Sequence, residues 1–188
     1  MINDKNEVAL AVLSSPGDMN SQVVGGDSRV TFSNPETQKT PVAQNTNQVQ
    51  NPANNFNPFE EQTHAGINSA RGRDLQWNDK IAGLARAHSE DMSRYGVMNI
   101  GHWGSNSRFS QMGGSGAENV AAFGTYDQLT PKQVGATFTK EWMGSSGHKE
   151  NILGPYSQTG IGIYVKDFGN GYKEYYATQL FRFLLIFK

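Results

Sequence analysis

The sequence predicts an α+β domain, and two observations carry the prediction. Apolar residues recur at helical spacing through the first part of the domain, and two stretches near its end alternate faces about Asn170-Gly171. Helices first and an antiparallel hairpin last is the order expected of helices packed on an antiparallel sheet. A third observation sets where the domain begins: the head is rich in Asn, Gln, Thr, Ser and Pro, and poor in aromatics.

That head, residues 1–59, is expected to be a disordered spacer, because it offers too little apolar surface to offset its ordering entropy. Prolines at 35, 41, 52 and 58 keep it extended. A short strand or docking segment around Gln22–Phe32 is the alternative. The domain is expected over 60–182. His64, Ile67, Asn68 and Arg71 fit a short helix stopped by Gly72, and His64 is expected at the exposed edge. Leu75-Gln76-Trp77 alternates briefly, and Asn78 is a suitable N-cap for the next helix. In that helix Ile81, Leu84, Ala85, His88 and Met92 fall on one face, with its end near Tyr95-Gly96. His88 therefore reads as a buried structural histidine.

Asn99 to Gly116 holds many Gly, Ser and Asn residues without periodicity and is expected to be a long loop, opened by His102 and carrying Arg108. Thr130-Pro131 starts a helix on which Val134, Phe138 and Trp142 share a face. Gly144 and Gly147 break it, and His148 follows the break. Gly160 to Lys166 reads as a strand, and Asn170-Gly171 as a hairpin turn. In the return strand Tyr172, Glu174, Tyr176, Thr178 and Leu180 take one face, and Lys173, Tyr175, Ala177, Gln179 and Phe181 the other. The apolar tail 183–188 either extends this strand or covers a groove.

A net charge of −1 over 188 residues gives no electrostatic reason to expect nucleic acid. The chain has no cysteine, which excludes disulfides, thiolate metal sites and cysteine nucleophiles. No apolar run approaches the roughly 18 residues of a membrane span. Val8 to Leu13 has signal-peptide character, but Asp4, Lys5 and Glu7 precede it in place of a basic flank, so no signal peptide is visible.

The polar residues that stand out are His102, Glu118 and His148. Glu118 precedes the apolar run Val120-Ala121-Ala122-Phe123, where an unpaired carboxylate would be costly, so it is expected to be hydrogen-bonded or paired. Two imidazoles and a carboxylate suit a zinc-like ion with an open position for water or substrate. A polar cluster holding the loop against a helix is the alternative.

The motifs Asn68-x-x-Arg71, Ala87-His88-Ser89-x-Asp91-Met92, Gly101-His102-x-Gly104-x-x-x-Arg108, Ala117-Glu118-Asn119-Val120, Trp142-x-x-Ser145-x-Gly147-His148-x-x-Asn151-Ile152-Leu153, Gly160-Ile161-Gly162 and Thr178-Gln179-x-Phe181 occur in that order. The ordered set, from about Glu60 to Phe181, resembles the CAP superfamily of cysteine-rich secretory, antigen 5 and pathogenesis-related 1 proteins. It is most similar to the cysteine-free bacterial branch. The resemblance implies an α-β-α sandwich, a central antiparallel sheet between helices, and an extracellular or cell-envelope location. It also implies a cleft with His102, His148 and Glu118 as metal-binding or catalytic residues, zinc as the candidate cofactor, and Ser145, Asn119, Trp103 and Glu141 around it. Ser145 stands where the family places a second acid, and Glu141 is one turn earlier on the same helix face. Related domains bind sterols and fatty acids, and Trp103, Phe109, Phe123 and Tyr126 are the aromatics that would line such a groove. A lipid or sterol ligand or an envelope protein is the expected partner for a monomer. A metal-dependent, peptidase-like hydrolase, with Glu118 as general base for a metal-bound water, is a further alternative, and the balance lies with binding.

Overall fold

The first helix starts earlier than its apolar spacing suggests, because Asn57-Pro58-Phe59-Glu60 is a capping box. Asn57 Oδ1 accepts from the Glu60 amide at 2.9 Å and Glu60 Oε2 from the Asn57 amide at 3.1 Å. The computed structural model describes residues 7–10 and 56–183. In chain order these form β1 (Glu7–Leu10), α1 (Pro58–Arg71), β2 (Gln76–Trp77), α2 (Asp79–Ser93), a 3-10 turn (Val97–Asn99), α3 (Ser105–Gln111) and β3 (Gly116–Thr125). α4 (Pro131–Gly144), α5 (Ser146–Leu153), β4 (Gln158–Asp167) and β5 (Lys173–Arg182) follow.

The sheet order is β1-β3-β5-β4-β2. β3, β5 and β4 are antiparallel, and the short outer strands β1 and β2 run parallel to their neighbours. α1, α4 and α5 cover one face, where Ile67, Phe138, Trp142 and Ile152 meet Phe123, Ile161, Tyr175 and Phe181. α2 and α3 cover the other, with Ile81, Ala85, Phe109 and Met112 against Leu180, and Met92 against Val120 and Tyr176. The α+β sandwich and the predicted faces of β5 are therefore present. Asn78 and Thr130 cap α2 and α4 as expected.

Gly160 and Gly162 let α2 sit directly on β4, since a Cβ at either position would overlap the backbone at Ala82 or Arg86. Arg71 holds the end of α5 by donating to the carbonyls of Ile152, Gly154 (3.0 Å) and Tyr156 (3.0 Å).

Four expectations need correction. Glu7–Leu10, within the expected spacer, is a strand on β3, and the domain is under way by Phe56, which is buried. The rest of 1–55, including Gln22–Phe32, and the tail beyond Phe183 lie outside the described residues. The expected loop 99–116 contains α3, because Phe109 and Met112 bury on one side of a turn opened by Gly104 at φ 77°. The break falls at the single non-helical residue Ser145, and His148 beyond it is not in a loop but within a further helix, α5, while Gly147 breaks nothing. His64 is half-buried, hydrogen-bonded to the Leu75 carbonyl at 2.9 Å and packed against the touching rings of Phe56 and Trp77.

Candidate functional site

β3 enters the sheet at Gly116 and alternates from there. Glu118 faces the α2/α3 layer, and Asn119 faces the α4/α5 layer. The Glu118 carboxylate is completely buried and fully engaged. Arg108, on α3, donates Nε to Oε2 at 2.6 Å and an Nη2 to Oε1 at 2.7 Å, and His102 Nδ1 lies 2.8 Å from Oε1. Burial pushes the Glu118 carboxyl up, but the His102 and Arg108 hydrogen bonds and the Arg108 charge outweigh it and hold the group below its ordinary range. Glu118 is thus an ionised acceptor at neutral pH. A carboxylate at Nδ1 fixes the proton there and makes Nε2 the acceptor of the neutral His102 ring.

Trp103, the next residue, is held in place while remaining 43% exposed. Its carbonyl accepts from Arg108 at 3.0 Å, and its ring meets His88 and Tyr95 edge-on at 5.4 Å each. Gly101 is required beneath it, because a Cβ there would strike the indole. His88 is buried as predicted, bonded to the Gly101 carbonyl at 2.8 Å, and burial, followed by the Arg108 charge, lowers its pKa.

His148 lies on α5, the helix that Asn119 and Asn151 tie to β3. It is buried there, and its carbonyl accepts from Asn119 Nδ2 at 3.2 Å. Asn151 ties the same helix to β3 by donating to Asn119 Oδ1 at 2.9 Å and to the Glu118 carbonyl at 3.4 Å. The structure therefore joins His102 directly to Glu118, and connects His148 to it through Asn119 and Asn151. Ser145 forms the half-buried junction of α4 and α5, where its carbonyl accepts from Lys149 at 2.9 Å. Glu141 is half-buried on α4, its pKa raised by burial.

These bonds set what the trio offers a divalent ion. Among the described residues no group of three or more His, Asp or Glu is arranged to hold a metal. Both Glu118 oxygens already serve Arg108 and His102. Glu118 as a direct zinc ligand does not fit this arrangement; its hold on Nδ1 is that of an outer partner, which leaves His102 Nε2 as the acceptor. The four groove aromatics do not line one groove either: Phe109 and Phe123 are core, and Tyr126 packs on Tyr172 at the far end of β3. Of the four, only Trp103 borders the site. Sequence reasoning missed two participants, Arg108 as the partner of Glu118 and Tyr95 as the partner of Trp103. The spacing of Arg108 from Gly104 was the available signal for the first.

Among the described residues no helix is long and apolar enough to cross a membrane. No curated protein matches the chain. Two solved structures are similar in outline. An outer surface protein from Borrelia burgdorferi is 15% identical, with a TM-score of 0.47 over 67% of this chain and 93% of its own. A cysteine-rich secretory protein from Staphylococcus aureus is 14% identical, with a TM-score of 0.43 over 66% of this chain and 38% of its own. The family model described as the cysteine-rich secretory protein family, CAP, matches residues 17–181. That match spans most of the sequence, and the chain belongs to the CAP family despite having no cysteine.

Proposed function

We propose that this protein is an extracellular or cell-envelope CAP domain that works as a binding module for an amphipathic, lipid-like ligand. The ligand meets the aromatic rim around His102. One observation carries the reading: Tyr95, Met98 and Trp103 are exposed by 61, 60 and 43% on one short segment, and Trp103 is braced there from below. A held, half-exposed indole beside a tyrosine has one apolar end and one wet end, the combination suited to a lipid–water boundary. His102 adds a fixed polar group next to it. A hydrolase is less well supported, because a general base needs a carboxylate free to take a proton, and Glu118 is committed to Arg108.

Tryptophan emission tests the proposal. Trp142 is fully buried and Trp77 is half-buried against Phe56 and His64, so a change in emission on adding phosphatidylcholine vesicles, with or without sterol, is assigned to Trp103 by its loss when Trp103 is replaced. A blue shift that saturates, and is lost in Tyr95→Ala/Trp103→Ala with the fold intact, is expected. No shift, or one that survives in the double variant, would contradict it.

A further inference from the structure

The two outer edges of the sheet are closed in different ways. Along β4, β2 pairs only with Gln158 and Thr159. Further on, Glu60 of α1 takes over: its Oε1 accepts from the Ile163 amide at 3.3 Å, and Arg86 of α2 holds the carboxylate at 2.6 and 2.8 Å. That edge is sealed by side chains built into the domain, a common protection against stray strand pairing. The β3 edge is closed by four residues, Glu7–Leu10, parallel to Asn119–Ala122.

Three features make this second closure exchangeable. The strand is short, and parallel pairing is slightly weaker per residue than antiparallel. Residues 11–55 lie between it and the domain in sequence, so its docking is an intramolecular association that a segment in trans can compete with. The acceptor residues Val120, Ala121 and Ala122 are small, so recognition rests on main-chain hydrogen bonds that any extended segment can supply. The register also places the docked strand at Asn119, next to Glu118, whose carboxylate positions His102.

We propose that the outer edge of β3 is a peptide-docking edge. Glu7–Leu10 fills it in cis, and an extended segment of another protein, with short and branched apolar residues like Val8-Ala9-Leu10, fills it by displacing that strand. Occupancy then changes beside the His102 site, whatever ligand the Tyr95–Trp103 rim takes.

Hydrogen exchange and peptide binding on the full chain test this. In the wild-type protein the β1-facing amides within 119–122 should exchange at least about tenfold faster than those of β5, through local opening. Wild type, whose own strand competes, should bind a labelled peptide of residues 4–13 at least about tenfold more weakly than a variant whose strand cannot pair. Val8→Pro/Ala9→Pro, which removes both candidate strand donors, should expose those amides, leave β5 protected and bind the peptide saturably. The same peptide carrying both prolines should not bind. Edge amides as protected as β5 in wild type would overturn the proposal without recourse to a variant. So would an exposed edge that takes no peptide, or one that instead pairs two copies of the chain.

Discussion

Glu118 shows how a residue's partners decide its chemistry. A carboxylate beside an apolar run had to be paired, and that much was legible; that His102 is one of its partners is what the structure adds. The role of Arg108 was not, because it depends on a helix, α3, that the Gly-, Ser- and Asn-rich sequence conceals. Arg108→Met should cost about 3–5 kcal/mol, since it leaves a buried carboxylate with one partner. Adding Glu118→Gln should recover part of that loss by removing the charge. Urea midpoints of the two single variants and the double give the coupling, and additive losses would contradict the pairing.

At the scale of elements, long amphipathic patterns and caps were readable: Asn78, Thr130-Pro131 and the alternating β5 all behave as their residues dictate. α3 and α5 were not, because each is short and owes its helicity to what it packs on. The start of α1 was missed for another reason, a polar capping box that resembles the spacer before it. Close contact between elements makes the glycines unequal. Gly162→Ala should destabilise by about 1–3 kcal/mol, because the added methyl meets the α2 backbone. Gly83→Ala, on the exposed side of α2 with open space around it, should stabilise by about 0.5–1 kcal/mol. Thermal melts of the two variants should move in opposite directions.

For the whole molecule, the buried histidines set the acid limit. His64 and His88 both have lowered pKa values, chiefly through burial. Below the ordinary value of 6.5 the unfolded chain takes up protons that the folded chain refuses. Stability is therefore full above that value and falls as pH drops through it towards each folded value. Glu118, held below its ordinary 4.5, contributes stability that is lost only further down. The melting temperature should decline between about pH 6.5 and 5. In His88→Gln that decline should be shallower, though the variant is less stable at neutral pH. An unchanged slope would remove His88 from the account.

The central claim is that Glu118 is spent on positioning His102 and is not an ion ligand. Calorimetric titration of the full chain with zinc near neutral pH tests it most directly, with wild type set against His102→Ala/His148→Ala and Glu118→Gln. The account predicts no micromolar binding that requires Glu118 as well as those histidines. Micromolar zinc binding in the wild type, abolished in the folded double variant and equally in folded Glu118→Gln, would contradict it.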